Sequence, residues 1–163
     1  MTAERRIETE VEVPGTPEEV FPFFADARNL EAITPPLLRF SVVTPEPIEM
    51  GVGTFIQYRL GFHHVPVTWH TSIQAWDPPH RFVDVQVRGP FALWHHTHTF
   101  TPAPSDPRST LMTDTVRYAI GFGVAGEIAH RVLVRRDLES IFSFRRQELP
   151  RLLPGTGRTD PSR

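Results

Sequence analysis

What most limits the shape of this chain is an order of periods, strand-like alternation from Leu38 to Tyr118 and then a switch to helical spacing after Gly126. Pro, Gly, Asp and Ser gather at 45–53, 61–64, 77–79, 89–90 and 102–109 and cut the first region into roughly six strands. Connections that short favour antiparallel neighbours. One further strand precedes them, because Ile7, Thr9, Val11 and Val13 interleave with Glu8, Glu10 and Glu12 until Pro14-Gly15 stops the run. In the last region Val134, Leu138, Ile141, Phe142, Leu149 and Leu152 fall on one helical stripe. Glu127 and Arg151 suit the two ends of that helix's dipole, and Pro150 marks its last turn or a kink there.

Between the first strand and the others the pattern predicts two short helices. Thr16 stands at the N-cap position, Pro17 at the first helical position and Glu19 three residues after the cap, as in a capping box. Val20, Phe21, Phe23 and Phe24 supply the buried side, and Asn29 to Ile33 reads as a second brief turn ended by Pro35-Pro36. At 163 residues the chain has room for one core, so the expectation is a single α+β domain over residues 1–153. Residues 154–163, polar and rich in Gly, Pro and Arg, read as a disordered tail. A strongly curved sheet of about seven strands cannot lie flat on one helix, so contact at the ends leaves a hollow between them.

Charge removes other readings. With 17 basic and 19 acidic residues mixed along the chain, no basic stripe offers itself to a nucleic-acid backbone. The absence of cysteine excludes disulfides, thiolate metal sites and a cysteine nucleophile. Met1 to Glu12 lacks an apolar signal core and no stretch has the length of a membrane span, so a soluble cytoplasmic protein without stable membrane insertion is expected.

The segments Val13 to Phe21, Asn29 to Pro36, Gly89-Pro90-Phe91, Trp94 to His98 and Asp114 to Tyr118 resemble the START-like, or SRPBCC, ligand-binding superfamily. The likeness runs over roughly residues 5–153, close to a whole domain. It implies a helix-grip fold, in which the curved sheet wraps the C-terminal helix around an internal cavity. The superfamily includes lipid carriers, plant hormone-binding proteins, polyketide aromatase/cyclases and oxygenase domains, so fold alone does not choose an activity.

Strand alternation gives an inward set when the parity with the larger apolar residues is taken as inward. The last strand presents Met112, Asp114, Val116 and Tyr118, and its neighbour Trp94, His96, His98 and Phe100. The strands before contribute Phe82, Asp84 and Gln86, then Trp69, Thr71 and Ile73, with Tyr58 and Ile56 beyond them. From the helix come Leu138 and Phe142, with Arg131 and Arg145 inside the apolar stripe and Arg135 at its border. Arginines pointing inward would need Asp84 or Asp114 as partners; the alternative, favoured for Arg145, is a stem laid on apolar surface with its head in water. Such a wall is too polar for a purely greasy ligand, and the occupant expected is a small lipid-, polyketide- or aromatic-type molecule that is largely apolar but carries polar groups.

The run Gly121-Phe122-Gly123-Val124-Ala125-Gly126 has dinucleotide spacing, but no parallel strand with an acid follows it, and the resemblance implies an apolar loop at the cavity mouth in that place. His96 and His98 share a strand face, and His63-His64 adds two more imidazoles; without a fixed third ligand the reading is hydrogen-bonded cavity wall, with no metal and no cofactor. An inward His96 beside Asp114, with Tyr58 or Tyr118 as donor, also suits acid-base catalysis by an aromatase/cyclase or dehydratase. The chemistry thus divides between a carrier or sensor and such an enzyme; a third reading is a regulatory module that shows its helix or the Gly121 to Gly126 loop to a protein partner when occupied.

Overall fold

The computed structural model describes residues 3–62, 65–121 and 134–153. Strand β1 (Arg5–Pro14) is followed by helices α1 (Pro17–Ala25) and α2 (Asn29–Ala32), a 3₁₀ turn at Pro36–Leu38 and the short strand β2 (Ser41–Val42). Then come β3 (Phe55–Phe62), β4 (Val65–Asp77), β5 (Arg81–Arg88), β6 (Leu93–Pro102), β7 (Ser109–Ala119) and helix α3 (Arg135–Leu152). The seven strands form one antiparallel sheet in the order β1-β7-β6-β5-β4-β3-β2. Register shifts in the β4–β5 pair at His70/Thr71 and Ile73/Ala75 add local bend and twist to that curved sheet. Leu38, read as the start of a strand, belongs instead to the 3₁₀ turn, where the Pro35-Pro36 pair limits what can follow. Arg131, His63-His64, residues 122–126 of the glycine run, Glu127 and the 154–163 tail lie outside the described residues.

The entry to α1 is built by its cap. Gly15 takes a positive φ of 105° to turn the chain out of β1, and the Glu19 carboxylate accepts the Thr16 backbone N–H at 2.8 Å. Thr110 Oγ1 on β7 donates to the Gly15 carbonyl at 2.7 Å, so the turn is tied to the sheet. On α3 the buried residues are Leu138, Phe142, Arg145 and Leu149, spaced four, three and four apart as one stripe requires. Pro150 sits in the last turn, just past the fully buried Leu149.

Two apolar clusters divide the interior. One gathers Tyr58, Trp69, Trp94, Val116 and Tyr118 from the sheet around Leu138 and Phe142. The other packs Phe21 and Phe24 of α1 on Phe82, Phe100 and Met112 with Leu149. Arg145, about one helical turn from the buried residue on either side, lies at the boundary between them.

Candidate functional site

Adjacent strands bring four ionisable side chains to that boundary. In register, Asp84 of β5 stands opposite His96 of β6, and His98 of β6 stands opposite Asp114 of β7. The hydrogen bonds run along the diagonals. His98 Nε2 donates to Asp84 Oδ2 at 2.9 Å, and His96 Nε2 donates to Asp114 Oδ1 at 2.9 Å. His98 Nδ1 lies 2.7 Å from Asp114 Oδ1, off the direction of a good hydrogen bond. From α3 the Arg145 guanidinium donates through Nη1 to Asp114 Oδ2 at 3.3 Å, while its Nε has no partner among the described residues. The two imidazole centroids are 3.7 Å apart with the rings tilted by 36°, and Phe82 stacks on His98 at 4.0 Å.

Burial alone would neutralise these groups, and the charges around them decide otherwise. For Asp114 burial works against ionisation, but Arg145 and the histidines hold its carboxyl well below the usual carboxylate range. Asp84 is also lowered, against its burial, by the His98 hydrogen bond and the nearby cations. Burial and the charge on His98 push His96 down, so it is the neutral imidazole. His98 is raised because its contacts with Asp114 and Asp84 outweigh its burial. Two carboxylates, one imidazolium and one guanidinium leave the cluster with no net charge, which is the condition for keeping it inside. Burial pushes the Tyr58 hydroxyl up as well, so it stays a neutral donor.

Next to this cluster lies a cavity of about 150 Å³ between sheet and helix. Of the wall expected, Ile56, Tyr58, Trp69, Thr71, Ile73, Phe82, Asp84, Trp94, His96 and His98 of the sheet and Leu138, Phe142 and Arg145 of the helix line it. Others do not reach it. Phe100 and Met112 fill the α1 side of the core, Tyr118 packs in the other cluster, and Asp114 stands behind the histidines. Gln86 turns to the β5–β6 loop, where its amide donates to the Phe91 carbonyl at 2.7 Å and accepts the Phe91 N–H at 3.2 Å. Arg145 departs from the snorkelling alternative: it is only 6% exposed, and the Asp114 carboxylate explains why its head stays in. Alternation missed the wall contributed by helices and loops, including Phe24, Ile33, Phe40, Met50 and Phe91. Loop backbone has no fixed face, so only the apolar character of Phe91 after Gly89-Pro90 marked it.

Among the described residues, donors that could hold a metal are those of Asp84, His96 and His98, whose ligand atoms all lie within 4.8 Å of one another. His70 of β4 packs edge-on against Phe55. No helix among the described residues is long and apolar enough to cross a membrane.

A curved seven-stranded antiparallel sheet closed by a C-terminal helix over a cavity defines a helix-grip protein of the START-like (SRPBCC) class. The sequence model of the family described as polyketide cyclase / dehydrase and lipid transport matches residues 4–152, and the chain belongs to that family. No curated protein matches it. Among solved structures, the Zhui aromatase/cyclase of Streptomyces sp. R1128 superposes with a TM-score of 0.72 at 16% identity, over 93% of this chain and 94% of that one. A START superfamily protein from Mycobacterium smegmatis gives 0.64 at 15% identity, over 90% and 98%. Norcoclaurine synthase from Thalictrum flavum, in complex with dopamine and hydroxybenzaldehyde, gives 0.62 at 15% identity, over 90% and 86%. Identities this low carry the fold alone.

Proposed function

We propose that the chain binds a small, largely apolar, ring-bearing molecule in the cavity between sheet and α3, as a carrier or sensor. The observation that carries this reading is a cavity of about 150 Å³ with aromatic walls and one polar end. A space of roughly that size accommodates a molecule like benzene. The indoles of Trp69 and Trp94 meet edge to face at 5.0 Å on one wall, and Phe142 comes from the helix. At the polar end Asp84 and the Nδ1 of His96 present acceptors, which suits a hydroxyl group on the ligand. A binding role fits the cluster because its charges are spent on one another, leaving specificity as its use.

One observation favours a second reading, an aromatase/cyclase or dehydratase. His96 donates its Nε2–H to Asp114 and keeps Nδ1 free beside the cavity, which is how an oriented general base is held. The family description, polyketide cyclase / dehydrase and lipid transport, supports a largely apolar occupant under either reading.

Native mass spectrometry of freshly purified protein tests for a co-purifying molecule, and tryptophan fluorescence titration with 2-naphthol tests uptake directly. Saturable 2-naphthol binding that Leu138→Trp abolishes in a folded protein is expected, since the indole fills the cavity. Absence of saturable binding in the wild type, or binding indifferent to Leu138→Trp, defeats the reading. Turnover of polyketide substrates that both His96→Ala and Asp114→Ala abolish would move the assignment to the enzyme.

A further inference from the structure

Donor atoms of Asp84, His96 and His98 lie within 4.8 Å of one another at the wall of the cavity. His96 Nδ1 is 3.6 Å from Asp84 Oδ2, too long for a hydrogen bond. That distance is close to the roughly 3.0–3.4 Å between two donor atoms that each bond one ion at about 2.1 Å. His98 Nε2 is 2.9 Å from the same oxygen. The remaining nitrogen of each ring turns the other way: His96 Nε2 donates to Asp114 Oδ1 at 2.9 Å, and His98 Nδ1 lies 2.7 Å from the same oxygen without the direction of a good hydrogen bond. Imidazoles that ligate a metal are oriented in this manner, by a carboxylate on the nitrogen that does not face the ion. Asp114 is itself held by Arg145, so the outer layer is anchored to α3 as well as to the sheet.

We propose that Asp84, His96 and His98 form a binding site for one divalent first-row transition cation of the zinc or iron(II) type, with Asp114 as the positioning residue for His96. Two imidazoles and a carboxylate are a set that leaves coordination positions open, and here they open toward the cavity. Water or an oxygen of the cavity's occupant completes the shell. The proposal goes beyond the ligand-binding reading and does not rest on it. Rings whose centroids are 3.7 Å apart at an interplanar angle of 36° do not aim two in-plane lone pairs at one ion, so uptake splays His96 from His98 on the cavity side.

The test uses the full chain without a polyhistidine tag, stripped by chelator and titrated with zinc chloride alone in a calorimeter, with cobalt(II) absorption as a second probe. One equivalent should bind with a Kd on the order of micromolar or tighter. Asp84→Asn and His98→Gln should each weaken it by about 100-fold or more, and Asp114→Asn by about 10–100-fold with a changed cobalt spectrum. His95→Gln, on the opposite face of β6, should change nothing. X-ray absorption of the zinc-loaded wild type should show two imidazoles on the metal, a readout that does not depend on any variant folding. No uptake below millimolar zinc, binding that survives Asp84→Asn and His98→Gln, binding lost with His95→Gln, or fewer than two imidazoles would each overturn the site.

Discussion

Arg145 of α3 donates to Asp114 of β7 at 3.3 Å across the interior, with 6% and 3% of the two residues exposed. Helix and sheet are therefore joined by a charge pair at the boundary of the two apolar clusters. Arg145→Leu strips Asp114 of its guanidinium and leaves the cluster one positive charge short. Breaking a buried pair from one side costs about 3–5 kcal/mol. The urea midpoint of Arg145→Leu should fall accordingly, and adding Asp114→Asn should restore part of the loss. A single-variant loss below about 1 kcal/mol, the level of a surface pair, would show that the guanidinium does not belong to the cluster.

The paired histidines shape stability against pH in the protein without a bound ion. His96 is lowered, so its contribution is present above the unfolded value, about 6.5, and is lost as pH falls. His98 is raised, so its contribution is present below about 6.5 and is lost as pH rises through the folded value. Stability should therefore peak near pH 6.5, with an acid limb from His96 and an alkaline limb from His98. Asp114, lowered by Arg145 and the histidines, adds a further acid limb below the ordinary carboxylate range. Urea unfolding from pH 5 to 9 checks this: His98→Gln should flatten the alkaline side, and His96→Gln the acid side above pH 5. An unchanged alkaline slope in His98→Gln would remove the imidazolium from the account.

How much of this was legible in the sequence differs by level. The sheet and α3 were readable because period-2 and period-3.6 patterns are strong and cleanly punctuated, and β6 shows it best, burying Trp94, His96, His98 and Phe100 in strict alternation. Alternation says which face a side chain takes but not what stands across from it. Pairing of Asp84 with His98 and of Asp114 with His96 depends on the register of three strands, which no local pattern specifies. Arg145 was placed on the right stripe and given the wrong default, because snorkelling is the cheaper fate of an arginine unless a carboxylate waits inside. Gln86 has the parity of the wall, yet the β5–β6 turn brings the Phe91 backbone within its reach, and two unpaired backbone groups draw the amide away.

That amide makes the last prediction. Gln86 holds both backbone groups of Phe91, and Phe91 closes over Trp69 and Trp94 at ring distances of 5.4 and 4.9 Å. Gly89 makes the clasp fit, since a Cβ there would meet Gln86 Oε1 at 2.4 Å and Cδ at 2.7 Å. The atoms in the way are the end of a flexible side chain, so Gly89→Ala displaces Gln86 instead of distorting the sheet. Its cost in stability should stay near the 0.5–1.5 kcal/mol, roughly, of a typical hydrogen bond. The effect should appear at the cavity: with the clasp released, Phe91 moves more freely and acrylamide quenches the indole fluorescence more strongly. Gln86→Leu should do the same by removing the amide, and the on-rate for 2-naphthol should rise in both variants. Quenching that matches the wild type in both would mean that Phe91 is held by its aromatic neighbours alone, and that the clasp does not govern access.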